Sequence, residues 1–292
     1  MTRFCRQSLV SKIVGGAFAT ASVVAITRPA LAEDPQYAFH VSLDQSGAAS
    51  PLALPATDFT VRPSITSSTL GAGVRTLPLV IICFNVFTGQ IINNCTVNIS
   101  HTARASSGGH SHTAGTRPKG TFQPSTGNTG TSGLPTTYTS PEPCGIIDVT
   151  LTGTAPDGTP ILPGTFTIGV QIDGLVALGA GANYDLVGIL PAHPDSHYGT
   201  PAMNGALVGI ADSYAMAFTG VRLAINDMSI VAGGLFDYQG TWAPPHVSHR
   251  LGNDADLNLA PVAQRRRLRQ IITAAGLRII PEGVETHWHV RQ

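Results

Sequence analysis

Between residues 76 and 180 apolar side chains recur at every second position, and this alternation is the strongest constraint on what the chain can fold into. Val97 and Ile99 stand between Thr96, Asn98 and Ser100; Ile147, Val149 and Leu151 flank Asp148 and Thr150; Phe166, Ile168, Val170 and Ile172 follow. Neighbouring side chains of a strand point to opposite faces, so each run predicts a strand with one buried face. Turn pairs such as Asp157-Gly158 and Pro163-Gly164 separate the runs, and no helical period interrupts them. Short strands of this kind predict an antiparallel, all-β, immunoglobulin-like sandwich over residues 33–180. The stretch at about 104–141 is rich in Ser, Thr, Gly and Pro. Such a composition buries little apolar area, so a long mobile loop is expected there.

The pattern changes after residue 180. Leu207, Ile210, Tyr214 and Phe218 fall at helical spacing, and Val221, Leu223 and Ile225 alternate as a strand. Pro261 opens a second helix that Gly276 closes, and 277–280 and 287–292 read as two closing strands. Residues 181–292 are therefore expected to form a compact α+β domain with an antiparallel sheet.

Residues 1–32 combine Arg3, Arg6 and Lys12 with an apolar stretch at 13–26 and the ending Ala30-Leu31-Ala32. This is the pattern of a secretory signal peptide, too short in its apolar part for the ~20 residues of a spanning helix. Export implies an oxidising compartment, with Cys5 lost and Cys83, Cys95 and Cys144 remaining. One structural bridge and one buried thiol are expected. Cys83 and Cys95 flank a hairpin-like segment, yet Cys144 could pair with either. Basic and acidic residues balance at 17 each, and charged residues are only 12% of the chain, which argues against nucleic acid as a partner. Arg265, Arg266 and Arg267 are expected on a solvated helical face.

Six of the ten His lie in the last domain: His193, His197, His246, His249, His287 and His289. In a strand the segment HWHV places the rings of His287 and His289 on one face and Trp288 on the other. In PPHVSHRLGNDADLN, Asp256 follows His249 by seven positions, and Asp254 and Asp256 alternate with Ala255 and Leu257 as a strand would. Two imidazoles and one carboxylate suit zinc and leave a fourth tetrahedral position for water.

The pair HRLGNDAD and HWH resembles the H-x6-D and HxH signature of lysostaphin-type endopeptidases, D-Ala-D-Ala peptidases, penicillin-insensitive murein endopeptidases and the Hedgehog signalling domain. The resemblance covers roughly residues 181–292. It implies a Zn2+ site with His249, Asp256 and His289 as ligands, and His287 beside the water position as a proton relay or oxyanion support. His246 resembles an additional active-site His of murein endopeptidases; its alternative is a surface loop residue after Pro244-Pro245. Several relatives place a carboxylate shortly before HxH. Here Glu282 and Glu285 are both available, and Glu285, if extended, shares the face of His287 and His289. The resemblance further implies an exported peptidase acting on peptidoglycan stem peptides or cross-bridges in the periplasm or cell envelope. The alternative is a non-catalytic, zinc-containing wall-binding or adhesion protein, since the Hedgehog domain keeps such a site for binding.

Other features carry less. His193 and His197 would share a helical face, but Pro194 argues against a helix, leaving a substrate-side loop or a structural turn. Asp227 is expected either to bind substrate amines or to cap a turn. His110 and His112 form a second HxH, with no carboxylate at a familiar spacing, and are expected as loop features, with accessory metal binding the lesser option. No phosphate-binding loop, dinucleotide fingerprint or G-x-S-x-G elbow is present.

Overall fold

The computed structural model describes residues 36–44, 58–65, 73–112, 116–242, 248–280 and 287–292. The expected signal segment lies outside them. One sheet contains β1 (Tyr37–Leu43), β3 (Thr76–Asn85), β8 (Leu134–Thr139) and β6 (Thr121–Gln123) in that order, with β4 (Ile91–Ile92) also on β3. A second contains β2 (Phe59–Val61), β10 (Gly164–Val170), β9 (Gly145–Thr152), β5 (Thr96–Ala103) and β7 (Thr126–Asn128). The period-two residues act as the pattern requires. Val97, Ile99, Val149, Leu151, Phe166 and Ile168 from the second sheet share one apolar core with Leu79, Ile81, Phe122 and Tyr138 from the first. Each fully buried side chain of this size contributes roughly 1.5–3 kcal/mol.

Two expectations change here. The stretch 104–141, expected as one loop, contains β6, β7 and β8. Leu134, Thr136 and Tyr138 alternate inward, and buried Thr136 donates its hydroxyl to the Pro124 carbonyl at 2.6 Å. A β-branched Thr with a satisfied hydroxyl serves as a core strand residue despite its polarity. The sheets are also not wholly antiparallel, because β2 runs parallel to β10.

Besides a short antiparallel ribbon of β11 (Val176–Ala177) and β13 (Tyr198–Gly199), the third sheet orders β12 (Tyr184–Leu186), β14 (Leu223–Ile225), β15 (Asp254–Asn258), β17 (His287–Arg291) and β16 (Arg278–Ile280). It is mixed rather than antiparallel: β12 and β14 are parallel, joined by a crossover that contains α1 (Pro201–Ala217). Thr200 caps α1 by accepting from the Met203 N–H at 3.1 Å, and Pro201 occupies the first turn, where its missing donor costs nothing. The second helix, α2 (Val262–Ala274), follows Pro261 and ends before Gly276, whose φ of 80° suits only glycine well. Arg266 and Arg267 are exposed on it, while Leu268, Ile271 and Ile272 face inward. With Leu207, Ile210, Tyr214, Leu257, Trp288 and Val290 these form a second apolar core. None of the described helices is long and apolar enough to cross a membrane.

Residues 231–242 and 248–250 are tied to the first two sheets. Leu235 N–H donates to Glu142 O at 3.0 Å, Ile172 N–H donates to Ala232 O at 2.8 Å, and Ala232 joins the first core. Arg250 is 1% exposed and donates to Glu142 Oε2 at 2.8 Å. Removing one partner of a buried pair leaves the other without compensation, although Glu142 keeps some access to water. Arg250→Met is therefore expected to destabilise by about 3 kcal/mol, measured by urea unfolding; a change under about 0.5 kcal/mol, as at an ordinary surface site, would contradict this role.

Cys83, Cys95 and Cys144 are all buried and unbridged in this structure, contrary to the expected bridge. Burial raises the Cys83 thiol pKa, and the neighbouring Cys95 thiol adds to that. Cys144 lies elsewhere, against Gly234.

Candidate metal centres

The face of the third sheet turned away from the helices carries a buried His/Asp cluster. Ala255, Leu257, Trp288 and Val290 fill the second core, so Asp254, Asp256, His287 and His289 are directed to the opposite face. β15 and β17 are antiparallel with Asp256 directly opposite His289 and Asn258 opposite His287. His249 arrives from the bend before β15. Gly252 lets that bend close: its φ is 74°, and a Cβ there would lie 2.2 Å from Leu175 and 3.2 Å from the backbone of Gly199 and Thr200.

His249, Asp256 and His289 are each 1% exposed, and one ligand atom from each lies within 4.8 Å of the others. His249 Nε2 is 3.3 Å from Asp256 Oδ2, and His289 Nδ1 is 2.9 Å from Asp256 Oδ1. Ligands held about 2.0–2.1 Å from one tetrahedral ion are separated by about 3.3 Å, so these separations fit a shared ion. The rings of His249 and His289 are 5.0 Å apart at 67°. His287 Nε2 stands 3.3 Å from Asp256 Oδ2, and its side chain is more open, at 20% exposure.

Asp254 is the residue that spacing did not single out. Its Oδ1 lies 3.0 Å from His289 Nε2 and also accepts from Arg291 Nε. A carboxylate on the far nitrogen of an imidazole fixes the ring's tautomer and orientation for ligation through the other. Its position two residues before Asp256 on the same strand was the available signal. Asp227, 4% exposed, is buried within electrostatic reach of His249, Asp256 and His287. Burial lifts its pKa to about 6, with His249 opposing and Asp256 reinforcing the shift.

Burial pushes the Asp256 pKa upward, yet His249 and His289 hold it well below the usual carboxylate range. Burial would lower His289, but Asp254 and Asp256 outweigh it and raise its pKa to about 9. The stabilisation from protonated His289 in the metal-free protein is therefore complete below the ordinary value of 6.5 and is lost as pH rises through about 9. Ligation needs the neutral ring. Metal uptake at pH 7 is expected to release about one proton from this site, and apparent affinity should rise up to about tenfold per pH unit toward pH 9. Calorimetric titration in buffers of different ionisation enthalpy reads the proton count directly; no buffer dependence would contradict the assignment.

A second cluster lies at His110 and His112, where loop features were expected and accessory metal binding was the lesser option. His110, His112, His193 and Asp237 offer ligand atoms within 4.8 Å of one another. His193 Nε2, His110 Nδ1 and His112 Nε2 approach the Asp237 carboxylate at 2.8, 3.1 and 3.3 Å. Burial lowers the His110 pKa to about 4, against the pull of Asp237. His193 is a buried partner of Asp237 and lies in a turn, its N–H donating to the Leu190 carbonyl at 2.9 Å. His197 is separate: it is buried, with Nε2 3.3 Å from the Ile225 carbonyl. Phe236 touches both clusters, its ring 5.0 Å from His193 and 6.1 Å from His249. His246, Glu282 and Glu285 lie outside the described residues.

Scans of the chain against protein-family models and against curated proteins find no match.

Proposed function

We propose that the chain is an exported zinc-dependent peptidase, centred on His249, Asp256 and His289, that cleaves peptidoglycan stem peptides or cross-links. The observation that carries this reading is the meeting of Asp256 and His289 across β15 and β17, with His249 closing over them and the more open His287 beside them. The donor set of two imidazoles and one carboxylate fits zinc and leaves one position for a non-protein ligand. When bound, the ion supplies a water acidified to a pKa of about 7 and polarises the scissile carbonyl. His289 is oriented by Asp254, and Asp256 spans His249 and His289. His287 is the group placed to carry a proton to the departing amine, with Glu285 as a further candidate base and His246 as an accessory group. In this reading residues 33–180 form an immunoglobulin-like spacer or recognition module, and residues 181–292 form the peptidase.

The test uses purified sacculi and the mature protein. His287→Ala is expected to keep its zinc yet release soluble muropeptides roughly a hundredfold more slowly, the lower range for loss of a positioned acid or base. Equal rates for the variant and the natural protein at equal zinc content would remove His287 from the chemistry. A second reading is favoured by the burial of all three ligands: a metal-containing wall-binding protein without turnover, indicated by sacculus binding with no product from either protein.

A further inference from the structure

We propose that His110, His112, His193 and Asp237 form a second, closed transition-metal site that fastens the loop after β5 to the segments before α1 and before β15. The site is independent of the centre proposed above. Its three imidazoles stand in a near-regular triangle, with centroids 5.5, 5.2 and 5.2 Å apart and planes inclined by 67–79°. Imidazoles bound at about 2.0–2.1 Å to one tetrahedral ion place their centroids roughly 5.2 Å apart, so one ion can lie between all three rings and the carboxylate. Three nitrogens and one oxygen complete four-coordination for zinc or a similar borderline ion. The first centre, in contrast, has three ligands. A full set of protein ligands marks a structural site.

Burial and hydrogen bonding point to the same ligand. His110, His193 and Asp237 side chains have no exposed area, and His112 keeps 10%. Among the described residues neither nitrogen of His110 or of His112 has an aligned hydrogen-bond partner. Their approaches to Asp237 therefore lie off the hydrogen-bonding axis. Buried imidazoles left so are costly unless a further partner is supplied, and a cation supplies it. The carboxylate is already oriented, since Asp237 Oδ2 accepts from the Trp242 N–H at 2.8 Å. The Trp242 ring covers His112 and His110 at 4.3 and 4.8 Å, shielding the site from water. Two of the ligands belong to the segment joining β5 to β6, whose Ser111 N–H donates to Ala192 O at 2.9 Å, next to His193. An ion here clamps together segments distant in sequence.

Metal content of the full chain, after dialysis against excess Zn2+ and gel filtration, tests this. Two zinc ions per chain are expected, falling to one in His110→Ala/His112→Ala and also to one in His249→Ala/His289→Ala. In the first variant tryptic cleavage after Arg104 or Lys119 should become at least about tenfold faster, while zinc at the other centre is retained. Loss of zinc only in the His249→Ala/His289→Ala chain would overturn the second site and leave the first intact; the reverse pattern would uphold the second and remove the first. Because the double Ala variant can fail to fold, His112→Cys loaded with Co2+ gives an independent reading. A thiolate-to-cobalt band in the near ultraviolet is expected if residue 112 is a ligand, and its absence in the folded, cobalt-loaded variant would overturn the assignment.

Discussion

Asp256→Ala is expected to abolish zinc binding at the first centre and to lower muropeptide release from sacculi by about a thousandfold or more. Asp256 is the side chain that meets all three imidazoles of that centre, lying 2.9 Å from His289 and 3.3 Å from both His249 and His287. Without it two buried imidazoles would have to hold the ion alone. A bound ion contributes several kcal/mol to stabilising charge in the transition state, and each 1.36 kcal/mol is tenfold in rate, so losing about 4 kcal/mol gives about a thousandfold. Rates measured at saturating zinc distinguish weakened binding from lost chemistry. An Asp256→Ala chain that keeps its zinc and its activity would show that the ion, if present, is held elsewhere.

Stripping metal from the whole protein is expected to lower its melting temperature by about 15 °C or more. An ion present at a thousand times its dissociation constant stabilises by about 4 kcal/mol, and two centres double that. A chain of this size shifts by about 2–4 °C per kcal/mol. Both clusters join segments far apart in the sequence, so ions bound there would act on the folded state as a whole. Differential scanning calorimetry with and without chelator reads the effect, and readdition of Zn2+ should restore the original transition. A melting temperature indifferent to chelator would remove the metals from the folding energetics.

What the sequence revealed about this fold was whatever is encoded in neighbouring residues. Val149 and Leu151, or Leu207 and Ile210, announce their elements because the periodicity that buries them is local. His287 and His289 were legible together for the same reason, as was the strand around Asp256. Thr136 hid a strand because its polarity is cancelled by a hydrogen bond to Pro124, a partner that composition does not show. The parallel pairing of β12 with β14 was equally hidden, since pairing order is set by packing between distant segments. The same limit concealed the second cluster. His110 and His112 stand together in the chain, but Asp237 reaches them only through the path of the segment before β15, so no spacing rule connects them.

Asp254 and Arg291 illustrate an intermediate case. Both flank recognised site residues on their own strands, and the register that places Asp254 opposite Arg291 follows once Asp256 is paired with His289. The support of a ligand was therefore implied by the same strand pairing that assembles the ligands themselves.

The most direct test of the central proposal is an anomalous difference map from crystals grown with Zn2+, recorded just above the zinc absorption edge. A peak about 2.0–2.2 Å from a nitrogen of His249, a nitrogen of His289 and an oxygen of Asp256, with one further position occupied by solvent, is the result expected. Well-ordered His249, Asp256 and His289 side chains with no anomalous peak between them would contradict it.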